Sequence, residues 1–349
     1  MGVYIGGVAA VSIQEPLSEE GIFRPVAYSS PQVRCIEPEF RKFLEPMVAR
    51  RMSKIVKRAI VASSVALEEA GIPMPDAIVS GTGLGCVEDT EKFLDAMVRN
   101  GEHCLQPTFF IQSTHNTISS QIAIRLGCHG YNNTHVHRGI SFESALQETM
   151  LLFGKGSIHS ALVGGYDELT PAYFRLLGRI GYWREEVKNS LHIVQEPAAG
   201  TFAGEGGVAF ALSENAQGAW AQIEGVSISY ACPDFTREAG LFLHRLGLNW
   251  KDVDVVMTGK NGDLENDRVY RNLSLPAGQT TAVYKPLCGE FFTAPAYGMY
   301  AAAVCLKQGM LPASLAEDGK EIEGIRRILL LNHWQEKDYS FILLSSCGD

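Results

Sequence analysis

At 349 residues, with 46% hydrophobic and 20% charged residues, the chain is long and apolar enough for a large core and too apolar for disorder. Its net charge of -9 argues against a nucleic-acid surface, which must neutralise phosphates with Lys and Arg. No stretch approaches the roughly 18 uninterrupted apolar residues of a membrane span, so none is expected. The start, MGVYIGGVAAVS, has no basic region ahead of a long apolar run and reads as a first β-strand.

The eight cysteines, Cys35, Cys86, Cys104, Cys128, Cys232, Cys288, Cys305 and Cys347, form no CxxC pair. That pattern suits reduced thiols in a cytoplasmic protein better than disulfides or a zinc site, and no metal or other cofactor is expected. One basic stretch, Arg50, Arg51, Lys54, Lys57 and Arg58, reads as a solvated helix face or a docking patch for an acidic partner.

Short apolar strands alternate with amphipathic helices, which makes the class α/β. A helix is predicted from about Pro46 to Ala70, with Met52, Ile55, Val56, Ala59 and Ile60 at helical spacing and Gly71 and Pro73 ending it. A strand at Ala77 to Ser80 leads into Gly81-Thr82-Gly83-Leu84-Gly85, which lacks the acidic residue that would complete a dinucleotide fingerprint. Ser113-Thr114-His115-Asn116 begins a helix through Leu126, closed by Gly127. A strand around Asn132 to Val136 reaches a sharp turn at Arg138-Gly139, followed by a helix from Ser141 to Phe153 and a strand from Ser160 to Gly165. Later strands are predicted at Gly207–Ser213, Ala221–Tyr230, Val253–Thr258, Ile328–Leu331 and Ser340–Leu344, with helices at Asp234–Leu246, Leu264–Leu273 and Ala294–Lys307. The rhythm repeats from about residue 216 without a linker, so two halves, 1–215 and 216–349, are expected to form one compact unit.

Five landmarks in this order resemble the β-ketoacyl synthase family of the thiolase fold. They are Gly81-Thr82-Gly83-Leu84-Gly85, Leu126-Gly127-Cys128-His129-Gly130, Val163-Gly164-Gly165-Tyr166-Asp167, Gly204-Glu205-Gly206-Gly207-Val208 and Lys285-Pro286-Leu287-Cys288-Gly289. The resemblance covers nearly the whole chain. It implies a layered α-β-α-β-α core built from two related βαβαβ-type halves.

The family's reaction needs a cysteine at a strand-to-helix turn, to carry the acyl group, and two histidines, to promote decarboxylation and stabilise the charge that develops. The family's spacing, counted from Gly130 or back from Gly164, lands on Gly139, which has no nucleophile. The first histidine's place falls on Gly259 or Lys260 and the second's on Glu290, while the family's lysine is retained as Lys285. The late glycine-rich loop is replaced by His333-Trp334-Gln335-Glu336-Lys337-Asp338. An internal ion pair of Glu290 with Lys260 or Lys285 is expected.

These departures point to a catalytically silent homologue resembling chain-length factors, the partner subunits of type II polyketide or fatty-acid-like synthases. Typical chain-length factors carry glutamine where this chain has Gly139. The implied partners are a second copy or an active ketosynthase, and an acyl carrier protein. Two alternatives stay open. One is an acyltransferase or condensing enzyme with a relocated nucleophile, drawn from Cys128, Cys288 or the strand histidines His135 and His137. Those histidines alternate onto one face but lack a third metal ligand; the resemblance puts them near a subunit seam. The other alternative is a non-catalytic scaffold that binds acyl chains or a carrier protein. Phe109, Phe110, Phe142 and Phe291 are candidates to fill the cavity, and a filled cavity favours a purely structural role. The acidic run Asp263, Glu265, Asp267 suits a helix start.

Overall fold

The computed structural model describes residues 2–50, 52–101, 103 and 105–347; Arg51 and Cys104 lie outside the described residues. In the first half the order is β1 (Val3–Val11), α1 (Glu20–Phe23), α2 (Pro46–Ala49), α3 (Lys54–Glu69), β2 (Ala77–Gly81), α4 (Val87–Asn100), α5 (Pro107–Ser113), α6 (Thr117–Leu126), β3 (Tyr131–His135), α7 (Ser141–Gly154), β4 (Ser160–Asp167), α8 (Pro171–Gly178) and β5 (Gly206–Ser213). The second half runs β6 (Ala221–Tyr230), α9 (Phe235–Arg245), β7 (Val255–Thr258), α10 (Leu264–Arg271), β8 (Thr280–Val283), α11 (Lys285–Cys288), α12 (Ala294–Gln308), a small ribbon of β9 (Met310–Leu311) and β10 (Ile322–Glu323), β11 (Arg327–Trp334) and β12 (Asp338–Ser345).

The ten main strands form one mixed sheet in the order β3-β2-β4-β5-β1-β6-β12-β11-β7-β8. Outward from the β1·β6 junction, the two halves mirror each other. In each, the fifth strand runs antiparallel to its neighbours, and the outer three pair in parallel.

Between the halves lie α7 and α12, which pack on strands of both. The composition of α12 explains its place. APAYGMYAAAVCL is apolar on every side, and a helix with no polar face has nowhere stable but the interior. Ala294 through Leu306 are all buried, and the many Ala and Gly residues let strands approach closely from both sides. The outer layers are amphipathic: α3 and α6 cover the first half and α9 the second, each burying one stripe. The result is the layered α-β-α-β-α core that the resemblance implied.

The helix predicted from Pro46 to Ala70 is two. Pro46 starts the single turn α2, and Ser53, in extended conformation, precedes Lys54 as the N-cap of α3. Met52 packs on the core from the link, which is why its spacing mimicked the helix. In the segment 107–126, Ser113 ends α5 and Thr114 is extended, so α6 starts only after Asn116. The helices α4, α5 and α8 and the strand β8 are additions to the sequence reading.

Candidate functional site

The turns that follow β2, β3, β4, β7 and β11 gather at the carboxyl ends of their strands, the usual place for a site in an α/β sheet. After β3 the chain turns through Arg138, whose φ of 50° lies in the left-handed region, and Gly139 into α7. The Ser141 hydroxyl accepts from the His137 amide at 2.7 Å and donates to the Arg138 carbonyl at 2.7 Å, which pins the turn. Gly139 is buried, and a Cβ added there would stand 2.3 Å from Cε3 of Trp334. Trp334 closes β11, just before a tight hairpin with left-handed Gln335 and Glu336. Its ring lies 5.2 Å from that of Phe292 and 6.5 Å from that of Tyr182. Phe292 in turn covers Gly83, where an added Cβ would meet it at 2.2 Å.

Gly259 follows β7, and a Cβ there would come within 2.5 Å of both Asn332 Oδ1 and Tyr270 Oη. The neighbouring Lys260 is held by Glu317 at 2.6 Å. The anticipated ion pair of Glu290 is therefore made with Lys285, at 2.7 Å, both residues being buried. Asn261 Nδ2 donates to the same carboxylate oxygen at 2.6 Å. Gly289, with φ 74° and extended ψ, permits the turn that aims Glu290. The Gly204 amide donates to the Glu290 carbonyl at 3.2 Å, tying the Gly204–Val208 turn to the Lys285–Gly289 turn. So Lys285, Glu290 and Asn261 meet in one cluster, Gly139 faces Trp334, and Lys260 points to a separate partner.

Burial drives the electrostatics around this centre. Glu143 of α7 is fully buried; it accepts from Asn332 Nδ2 at 3.1 Å and Ser340 Oγ at 2.9 Å, while its other oxygen has no hydrogen-bond partner among the described residues. Desolvation pushes its carboxyl up to about 7. Desolvation likewise pushes Asp167 to about 6 and Glu168 to about 7. Asp167 remains well served, by Gly83 N, Thr82 Oγ1 and both donors of Thr293. His333 is buried with its Nε2 toward the Asn266 carbonyl, and desolvation lowers it to about 4. Glu143, Asn261, His333 and the role of Trp334 were missed by sequence reasoning. The signal for Glu143 was a lone charge beside Phe142, Ala145 and Leu146, which becomes informative only once α7 is known to lie between two sheets.

The remaining sequence candidates are scattered. Cys288 is fully buried and its thiol is pushed well above the usual range, mainly by desolvation. Cys128 donates to the Pro75 carbonyl, ahead of β3 and so at the opposite end of that strand from Gly139. His135 pairs with Glu148, which also takes bonds from Tyr131 and Asn133, whereas His137 is exposed. Among the described residues no group of three or more His, Cys, Asp and Glu could hold a metal. The basic stretch is not one free patch: Arg58 is buried between Glu37 and Glu205, and Lys57 sits over Phe40. Phe142 belongs to the core, Phe110 is exposed, and Phe291 lines a cavity. Asp263 caps α10 through the Asn266 amide, and Asp267 turns inward to the amides of Asn261 and Gly262.

Two cavities flank Trp334. One, of about 340 Å³, is walled mostly by aromatic and aliphatic side chains; the other, of about 720 Å³, has a mixed lining in which Asn261, Asp263, Glu265 and His333 join Ile180, Tyr182 and Leu264. Tyr182, Glu290 and Trp334 border both.

The family model described as "Beta-ketoacyl synthase, N-terminal domain" matches residues 20–217. Among solved structures, the ishigamide ketosynthase/chain length factor is similar at 18% identity, with 99% of each chain covered and a TM-score of 0.82. A ketosynthase in complex with its chain length factor from Xenorhabdus doucetiae is similar at 15% identity, covering 99% of this chain and 98% of that one, with a TM-score of 0.80. A beta-ketoacyl synthase from Burkholderia phymatum is similar at 15% identity, with 99% of each chain covered and a TM-score of 0.74. No curated protein matches the chain in sequence.

Proposed function

The chain belongs to the beta-ketoacyl synthase family, and from that premise we propose that it is a catalytically silent member that pairs with an active ketosynthase. The observation that carries this reading is the Trp334 ring over Gly139. The position reached by the family's cysteine spacing has no nucleophile and no room for one. The other two positions fit the same reading. Gly259 is hemmed in by Asn332 and Tyr270, and Glu290 is committed to Lys285 and Asn261, which leaves no histidine pair to assist decarboxylation.

Pairing is supported by one of the two edges of the sheet, the β3 edge. β3 has a neighbour on one side only, and unpaired strand edges in native proteins are covered or defended. Tyr131 on this edge and Val136 beyond it are exposed, as are Phe110 and Ile111 of α5, which packs on α6 beside β3. Two of the similar structures are named as ketosynthases with chain length factors. A second copy of this chain is the other occupant of the edge. An acyl carrier protein would then dock on the complex, in a type II polyketide or fatty-acid-like pathway.

The test is co-expression with a cognate active ketosynthase, followed by native mass spectrometry. A one-to-one complex is the expected result. A monodisperse monomer at micromolar concentration, unchanged by the synthase, overturns the reading.

A further inference from the structure

The 340 Å³ cavity has an aromatic lining that the silent-subunit reading does not account for beyond Trp334. Six aromatic side chains border it: Tyr173, Tyr182, Trp183, Phe291, Phe292 and Trp334. Their rings are interlocked, with Tyr182 edge-on to Trp183 at 4.8 Å and Tyr173 6.4 Å from Phe292. Walls of this kind favour flat, polarisable guests, through offset and edge-to-face contacts that a saturated chain cannot make. The size falls within the range of small-molecule sites.

The charges on the lining are unequal. Asp167 accepts four hydrogen bonds, Glu290 is neutralised by Lys285, and Glu168 is desolvated and accepts from the Glu88 amide. Arg138 differs from them. Its guanidinium makes no ion pair or hydrogen bond among the described residues, and it is exposed at the rim of the cavity. A left-handed backbone at Arg138 is uncommon for a residue with a side chain.

We propose that this cavity binds a small aromatic carboxylate, its ring among Tyr173, Tyr182, Phe292 and Trp334 and its carboxylate on Arg138. A bidentate guanidinium–carboxylate contact supplies the orientation, and the ring walls supply selection against aliphatic acids. The ligand would be held without covalent attachment, on this chain alone, so the inference stands apart from pairing with a synthase.

Calorimetric titration of the isolated chain with trans-cinnamate, octanoate and cinnamamide tests it. Cinnamate is expected to bind one-to-one, at least about tenfold tighter than octanoate or the uncharged amide. Arg138→Asn, a residue that tolerates the left-handed turn, is expected to weaken cinnamate about tenfold. Arg175→Asn, on exposed α8 outside the lining, is expected to leave it unchanged. The proposal is overturned by the absence of saturable cinnamate binding or by equal binding of octanoate or the amide. It is equally overturned by an Arg138→Asn variant with unchanged affinity, or by an equal loss in Arg175→Asn, which would mark a diffuse basic surface. Because no ketosynthase is present, any of these outcomes leaves the pairing reading untouched, and a failure to pair leaves this one untouched.

Discussion

At the scale of single residues, the account rests on what fills the space around Gly139, Glu290 and Glu143. Gly139→Cys should not create an acyl-accepting thiol. It should lower stability by about 1–3 kcal/mol, because the new side chain collides with Trp334. Combined with Trp334→Ala, it should cost less than the two single changes added together, because the smaller side chain removes the collision, and denaturant unfolding of the two single variants and the double variant measures it. Lys285→Met leaves Glu290 buried beside a single amide donor and should cost about 3–5 kcal/mol. Removing both charges, with Glu290→Met in the same chain, should cost less than the two single changes combined. Glu143 sets a pH dependence. Its folded carboxyl, at about 7 against an ordinary 4.5, binds a proton that the unfolded chain releases between those values. Its contribution is therefore fully present below pH 4.5 and lost as pH rises toward 7, on the order of 3 kcal/mol. In Glu143→Gln the stability difference from the parent should move in the variant's favour between pH 5 and pH 8. His333 acts in the opposite sense: lowered to about 4, it costs stability as pH falls from 6.5 toward 4. Only the difference between variant and parent isolates Glu143.

At the scale of elements, the free edge strand β3 makes a separate prediction. Tyr131→Lys with Val136→Lys should prevent pairing across this edge while leaving the melting temperature of the isolated chain nearly unchanged, since both side chains are exposed. Sedimentation velocity reads the first effect and thermal unfolding the second. The elements most legible in the sequence were those whose pattern matches their burial. The β6 strand falls where alternation put it, at Ala221–Tyr230, and α12 stands out as an uninterrupted apolar run. Elements decided by contacts remote in sequence were harder to read. The amphipathic α8 has no buried residue of its own, and β8 is four residues long. The break between α2 and α3 depends on Ser53 being extended. Of the site, the glycine turns and the Lys285–Glu290 pair were legible because motifs five residues apart anchor them. The Trp334–Gly139 contact was not, since it joins positions in different halves of the chain.

At the scale of the whole molecule, two mirrored half-sheets enclose α7 and α12, and the turns at their strand ends meet around Trp334 and Glu290. Motif order alone was enough to read that architecture, because glycines such as Gly204 and Gly289 are required where backbones touch: a Cβ on Gly204 would lie 1.9 Å from the Cys288 carbonyl oxygen. The packing around Gly139 depends on Trp334, a side chain from the other half of the chain that motif order does not locate. The central claim, a silent subunit beside an active one, is tested most directly by intact-protein mass spectrometry. The chain would be incubated with acyl- and malonyl-loaded carrier protein and with acyl-CoA, alone and with its co-expressed ketosynthase. The account predicts acylation of the ketosynthase only, in a complex that co-purifies with an unmodified copy of this chain. A stoichiometric acyl adduct on this chain would contradict it, and the modified residue would identify a nucleophile placed elsewhere.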